Sequence, residues 1–584
     1  MKKKAFILPT ILISLALSAC SFQAGGNSSL NSSETNTSSS QTTIPVQSIN
    51  LNTTSMELIK GKKGEISIKS VMPKNAADKS VNFSSTNESV ATVDQKGIVT
   101  AIEVGSASII VKANDGSNVS APCSVTVIEN KVDSAFKKAT KTLTYNDLDT
   151  AYNVNSFGNQ KVLVLPVYFS NDKEKATADN RTLIEKSFFG TDEDCGWRSY
   201  KSYYEHASYN QVHFIGHVAD WYASPYTTSQ VSESIDLSRQ IVSDAVGNFK
   251  KTNPSFDWSG YDQNNDGYID QVSVIYATDY EQRTGSDITG LWGFRWQTTI
   301  SDGMTGLEPY AFTWFSLKFL TNTKNYGGVP DGGLNTKIII HEHGHMLGLS
   351  DYYDTTYAGS VDYVGSYDMQ SNNVLDWNAF SKYSVGWVNP YYLDENIMKT
   401  EKTATITIGS SSLDGDCILV KGHEWNGMPF DEYLLIELFN PYAGNNAWDC
   451  TKAANGLGKG GIRIYHVDAR CNGLPDYDSF NPNYSYRVKY DNDYSESGYH
   501  LLHLLQKGGT NTFGQKGQRD KCGESDLFKT GDSFCLGTHE GFRDYGTGFF
   551  LHETTFNDGN SLPYGIHFDK VTSSSATITF TYFE

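Results

Sequence analysis

No Cys-x-x-Cys pair occurs anywhere in this chain, which argues against a zinc site built on thiolates. Charge is sparse, at 19% of residues against 38% hydrophobic. With 35 Tyr and 10 Trp, that balance excludes a disordered chain and favours a folded, β-rich, extracellular one. Positive charge is the scarcer sign, with 47 Lys and Arg against 66 Asp and Glu, a formal net charge of −19. Nucleic acid and anionic lipid are therefore poor partners, while acidity suits a secreted protein that binds calcium. The apolar stretch from Ala5 to Leu17 is too short to cross a bilayer stably. Behind Lys2, Lys3 and Lys4 it has the shape of a signal peptide. It ends Leu17-Ser18-Ala19-Cys20, similar to a bacterial lipobox, in which Cys20 is lipidated and anchors the mature chain outside the cytoplasmic membrane.

A chain of 584 residues exceeds what one core can hold, so several domains are expected. Residues 1–19 read as a lipoprotein signal peptide and 20–44, dominated by Ser, Thr, Asn and Gly, as a flexible tether. Residues 45–128 carry short alternating runs such as Glu65-Ile66-Ser67-Ile68-Lys69 and Ala107-Ser108-Ile109-Ile110-Val111, the pattern of a small β-sandwich. Ser84-Ser85-Thr86-Asn87-Glu88-Ser89-Val90-Ala91 and Gly97-Ile98-Val99-Thr100-Ala101 make this segment resemble the group 2 bacterial immunoglobulin-like domain, which implies a spacer or a surface-binding module. Residues 130–398 read as an α+β catalytic domain whose mixed sheet begins with the buried-strand run Lys161 to Phe169 and includes Val272 to Ala277. Tyr200 to Glu205 is expected to be helical. Residues 400–584 alternate strands with Gly- and Asn-rich turns and read as an all-β sandwich. Beyond Cys20 seven cysteines remain, and disulfides are expected among Cys450, Cys471, Cys522 and Cys535, with the pairing open. Cys195 reads as an ordinary loop thiol.

The most informative segment is His341-Glu342-His343-Gly344-His345-Met346-Leu347-Gly348-Leu349-Ser350-Asp351. On a helix His341 and His345 lie one turn apart on one face, where both imidazoles can reach one ion. Glu342 can face a water on that metal as general base, the logic of the H-E-x-x-H signature. Gly348 can stop the helix and reverse the chain, bringing Asp351 back as a third ligand. Asp354 competes for that role, and the spacing after Gly348 favours Asp351. His343 points to the far side of the helix, as a supporting or surface residue. The remaining histidines have no mutual ligand spacing and read as hydrogen-bonded scaffold.

Two further motifs stand out. Asp262-Gln263-Asn264-Asn265-Asp266-Gly267-Tyr268-Ile269-Asp270 places oxygen side chains at positions 1, 3, 5 and 9 around a glycine, with the Tyr268 carbonyl available at position 7. That order suits calcium, although position 12 is Ser273 rather than Glu. Met369, in Gly365-Ser366-Tyr367-Asp368-Met369-Gln370, stands where a methionine turn would lie beneath a zinc site.

Taken with Tyr203 to Gln211, Trp377, Phe380 to Tyr383, Gly386-Trp387, Glu432 to Glu437 and Gly461 to Asp468, these motifs resemble the immune inhibitor A family of secreted bacterial metallopeptidases. The resemblance spans most of the chain after residue 150. It implies a metzincin-like zinc endopeptidase acting on extracellular proteins. Family members tend to carry His where Phe294 stands, which puts a substrate contact from that loop in doubt. On this reading His341, His345 and Asp351 hold Zn²⁺, and Glu342 moves the proton of the attacking water to the leaving amine. A tyrosine among Tyr352, Tyr353, Tyr357 and Tyr367 is a candidate to stabilise the oxyanion. The alternatives are a surface adhesin on a retained peptidase fold, and a zinc hydrolase of glycopeptides.

Overall fold

The computed structural model describes residues 43–583 apart from 141–142, 149–153, 282–288, 323, 325–327, 330–331, 355–360, 422–424, 448–457, 475–478, 482–483, 485, 493–498, 514–520, 547–548, 551 and 553. Cys20, Tyr357 and Cys450 lie outside the described residues. Among the described residues no helix is long and apolar enough to cross a membrane.

The N-terminal module is a sandwich. One sheet runs in the order Ser55–Ile59, Ser120–Ile128, Gly105–Ala113, Val81–Ser85, and a second in the order Lys63–Glu65, Ile98–Ala101, Ala91–Val93. Along Gly105–Ala113 the residues Ala107, Ile109, Val111 and Ala113 are buried while their neighbours face outward, the period of two that fixes a strand's register. The run Glu65 to Lys69 is not one strand. Lys63–Glu65 pairs with Ile98–Ala101, and Ile68–Met72 pairs with Ser48–Leu51. The chain changes sheets at Ile66, whose side chain is 2% exposed and whose N–H donates to the Gly97 carbonyl.

The catalytic region is built on a six-stranded sheet whose main path runs Val212–Val218, Gly158–Tyr168, Val272–Tyr276, Ala311–Ser316, Phe294–Gln297, with the short Tyr222–Ala223 also pairing with Gly158–Tyr168. The first four are parallel and the last is an antiparallel edge. Val162 and Val164 pack with Tyr200, Tyr203 and Tyr204 of the helix Tyr200–Ala207 and with Ile339 and Ile340. Leu163, Leu165 and Val167 pack on the other face against Ile241, Ala245 and Phe249 of the helix Asp236–Thr252. Both faces are covered, which is why the strand reads as a continuous apolar run.

The C-terminal region stacks a six-stranded sheet, ordered Phe136–Lys138, Tyr391–Leu393, Cys417–Val420, Glu432–Phe439, Gly461–Asp468, Leu502–Leu504, on a four-stranded one, ordered Thr403–Gly409, Ser575–Tyr582, Tyr564–Val571, Ser533–Phe534. Its first two strands come from outside 400–584, so the sheets do not follow a cut at residue 398. Leu434, Ile436 and Leu438 point into the sandwich, whereas Tyr433, Leu435 and Phe439 pack on Tyr352, Phe380 and Tyr383 of the catalytic region. Among the described residues Cys123, Cys195, Cys417, Cys471 and Cys535 are free thiols, which corrects the disulfide expectation for Cys471 and Cys535. Each stands in its own environment: Cys471 Sγ lies near the Ala469 carbonyl, and Cys535 Sγ contacts the Gly537 carbonyl.

The immunoglobulin-like module is packed against the rest rather than suspended as a spacer. Lys62 Nζ pairs with Asp416 at 2.7 Å, and the Lys63 N–H donates to Asp414 at 2.9 Å. The Gly444 N–H donates to Glu65 at 2.7 Å, while Lys570, Ser574 and Ser575 all reach Glu57. Asp416 is 1% exposed, so its charge depends on Lys62. Replacing Lys62 by alanine is expected to remove about 2 kcal/mol of stability, because it leaves a buried carboxylate without its cation. Calorimetric melting checks this, and an unchanged midpoint would deny the module a bracing role.

Candidate metal centre

The helix Lys337–Met346 turns Ile339 and His343 toward the sheet, which leaves His341 and His345 on the opposite side. It ends at Leu347, and Gly348 takes φ +90°, a left-handed conformation that reverses the chain. The Leu349 N–H closes the turn on the Gly344 carbonyl at 3.1 Å. The reversal brings Asp351 Oδ1 to 3.0 Å from His341 Nε2 and 3.5 Å from His345 Nε2. Among the described residues this is the one group of three His, Cys, Asp or Glu side chains whose ligand atoms fall within 4.8 Å of one another. Asp354 is fully buried two residues into the next strand pair and is not in the group.

Both imidazoles are locked by backbone. His341 Nδ1 lies 2.8 Å from the Met369 carbonyl and His345 Nδ1 2.7 Å from the Leu349 carbonyl. A carbonyl only accepts, so each Nδ1 carries a proton and each Nε2 is the ring atom turned toward Asp351. Three electron-pair donors facing one another repel unless a cation or a proton lies among them. Burial alone would lower His345, but the Asp351 carboxylate overrides it and holds the imidazole at about 9. Burial likewise opposes ionisation of Asp351, and His345 with His341 carry it below the usual carboxylate range. Glu342 is 9% exposed, and burial raises its carboxyl against the pull of the two histidines. The Arg295 N–H, on the edge strand, donates to it.

Met369 is wholly buried at the start of the short helix Met369–Asn372, under the metal helix. At Gly344 a Cβ would stand 2.3 Å from the Gln370 side-chain oxygen, so the missing side chain leaves room for that amide. Asp368 caps the short helix by accepting from the Gln370 N–H at 2.8 Å. Its other oxygen accepts from the Asn378 N–H at 2.8 Å and side-chain amide at 2.7 Å. Burial pushes Asp368 up to about 7.

Several expectations change. His343 is no surface residue: at 1% exposure it donates to or accepts from Ser273 Oγ at 2.8 Å and bonds the Ile339 carbonyl, tying the helix to the sheet. Tyr352 turns away from the site, with its hydroxyl on Ser381 Oγ at 2.7 Å in a fully buried position. Phe294 packs on Phe312 and Trp314, on the sheet face opposite the metal helix, so it is not beside the site. Cys195 is buried, bonds the Lys186 carbonyl, and is pushed up to about 12 by burial, as an inert thiol. His213 pairs with Glu205 and His466 with Glu432, as scaffold.

In the acidic loop Asp262 accepts from the N–H groups of Asp266 and Gly267, Asn264 from that of Asp266, and Asp266 from that of Tyr268. Asp270 accepts from the Gln263 N–H and is pushed up to about 7, by burial first and then by Asp262 and Asp266. The Asp262, Asp266 and Asp270 carboxylates are not drawn together as tightly as the histidine group.

Residues 159–379 match the family described as immune inhibitor A peptidase M6, catalytic domain, and residues 45–125 match the bacterial Ig-like domain, group 2. The chain thus combines an M6 peptidase catalytic domain with a group 2 immunoglobulin-like domain. Immune inhibitor A of Bacillus thuringiensis subsp. alesti is 25% identical over 255 residues, 36% of this chain and 36% of that one. The pre-pro-metalloprotease PrtV of Vibrio cholerae is 24% identical over 195 residues, 30% of this chain and 21% of that one. An uncharacterised protein of Clostridium acetobutylicum is 45% identical over 65 residues, 11% of this chain and 16% of that one. Each match spans well under half of the relative's own length.

Asp368 gives the centre a pH signature. Its folded pKa of about 7 stands above the ordinary 3.8, so the native state binds more protons between those values. Its contribution therefore weakens the fold as pH rises from about 4 to 7. In Asp368→Asn this contribution disappears, and the denaturation midpoint should fall less steeply across that window than in wild type; equal slopes would show that Asp368 does not titrate there.

Proposed function

We propose that this chain, whose residues 159–379 form an M6 catalytic domain, is a zinc-dependent endopeptidase that cuts extracellular proteins. The carrying observation is the convergence of two Nε2 atoms, on rings whose Nδ1 atoms are held by backbone carbonyls, and one carboxylate oxygen, Asp351 Oδ1, which is shielded from solvent. That donor set fits zinc, with His341, His345 and Asp351 as its holders. A zinc ion held there would act as Lewis acid toward the scissile carbonyl and acidify water at its open position.

The protein's own groups do the rest. Glu342, raised by burial yet anchored by the Arg295 N–H, accepts a proton from the attacking water. It then returns that proton to the departing amine as the C–N bond breaks, so the carboxylate ends the cycle as it began. The Met369 and Leu349 carbonyls keep both imidazoles in the tautomer that offers Nε2. The antiparallel strand Phe294–Gln297 runs beside Glu342 and is the last of its sheet among the described residues, where an extended peptide laid alongside would reach Glu342. We place the enzyme outside the cell, held by lipid on Cys20. Metabolic labelling with a palmitate analogue, lost in Cys20→Ala, tests that anchor.

Glu342→Gln should lower casein hydrolysis by about 10²-fold or more while zinc content stays at one per chain. Equal activity in wild type and variant would sink the peptidase reading and leave the adhesin. Removal of zinc by a chelator should abolish activity, and re-addition should restore it.

Calcium at the loop from Asp262 to Asp270 is part of the same proposal. Its support is the alternation of Asp262, Asn264 and Asp266 oxygens with the Tyr268 carbonyl, and the raised Asp270. Calcium at about 100 times its dissociation constant should stabilise wild type by about 2.7 kcal/mol and leave Asp266→Ala unmoved. Equal melting shifts in both proteins would remove calcium from this loop.

A further inference from the structure

The third metal-holding residue stands on a reversal that has little support from its own side of the chain. From Gly348 to Asp351 the described bonds to backbone are the Gly348 N–H to the His345 carbonyl, the Leu349 N–H to the Gly344 carbonyl and His345 Nδ1 to the Leu349 carbonyl. Asp351 is fixed instead from the residue after it. The Tyr352 N–H donates to the Gln370 carbonyl at 2.9 Å. The Tyr352 carbonyl accepts from Asn492 Nδ2, also at 2.9 Å, from a residue 140 positions away in sequence.

Asn492 belongs to the C-terminal region and is fully buried. The same Nδ2 donates to the Leu502 carbonyl at 3.0 Å, and its Oδ1 accepts from the Leu502 N–H at 3.2 Å. The amide therefore pairs with the strand Leu502–Leu504 as another strand's backbone would, and spends its remaining donor on Tyr352. Two residues further on, the Leu504 N–H donates to the Tyr363 carbonyl at 2.9 Å. One short strand of the sandwich thus grips the segment that follows Asp351 at both ends.

We infer that Asn492 is a positioning residue for the metal centre: by holding the Tyr352 carbonyl it sets the reach of the Asp351 carboxylate toward His341 and His345. The C-terminal sandwich is then a working half of the site and not an appended module. This inference rests on the metal reading proposed above.

The test is zinc affinity of the full chain, by competition with a chromophoric chelator. Asn492→Ala should bind zinc about 10- to 100-fold more weakly, the range for removing a group that orients a ligand. Cobalt substituted for zinc should show an altered visible spectrum in the same variant. In an Asp351→Ala background, Asn492→Ala should add less than about twofold, because its route to the metal is gone. Ser381→Ala, which loosens the Tyr352 hydroxyl but not its backbone, serves as the control and should stay within about twofold of wild type. Should Asn492→Ala fail to fold, Asn492→Asp keeps the shape and the acceptor while losing the donors, and the same loss is expected. Unchanged affinity overturns the inference, as does an equal loss in Ser381→Ala. Wild type without stoichiometric zinc would overturn the metal centre itself.

Discussion

The site depends on one constraint: each imidazole must donate its Nδ1–H to a fixed backbone carbonyl. A free histidine chooses between tautomers and ring orientations, and two free histidines rarely choose together. Here Met369 and Leu349 make the choice. Much of the surrounding architecture follows from the need to put those carbonyls in place. The Met369–Asn372 turn must lie directly beneath the metal helix, so Asp368 buries a carboxylate to cap it. The metal helix must stop within one turn of His345, so that Leu349 can come back under its ring.

Two strands with both faces buried link this site to the rest of the protein. Gly158–Tyr168 carries the helix layers of the catalytic region on its two sides, and Glu432–Phe439 shares its side chains between the sandwich interior and the catalytic region. Because the second strand serves two cores, the sandwich cannot be lifted away without exposing Tyr352, Phe380 and Tyr383. The contribution of Phe136–Lys138 and Tyr391–Leu393 to the same sheet closes the chain on itself across the catalytic region.

What could be read in the sequence was whatever one residue type at one spacing encodes. The i, i+4 pair His341 and His345, the turn at Gly348 and the return of Asp351 follow from helical geometry and glycine's freedom, and the structure brings them together. The buried runs around Val164 and Val274 were legible as strands for the same reason. Other features left no trace. A carbonyl such as that of Leu349 belongs to every residue, so no side chain announces its role. The helix wheel sent His343 to the far side and left it open between a supporting and a surface role, because the presence of Ser273 on the opposing strand is a tertiary fact. The split at Ile66 was hidden because alternation continues unbroken through a residue that changes sheets. Asn492 lies in a polar stretch that resembles any surface loop until its partners are seen.

Gly344 has a meaning beyond the contact that it permits. A glycine inside a helix costs about 1 kcal/mol relative to alanine, so on intrinsic preference this position should be alanine. The missing methyl leaves the space that the Gln370 amide occupies, one residue after the carbonyl that holds His341. In this protein the second variable place of H-E-x-x-H is therefore not freely variable. Any pattern search that treats it as open would accept relatives whose helix is intrinsically more stable but in which the side chain at the place of Gln370 has to move. The signature encodes a space as well as a set of ligands.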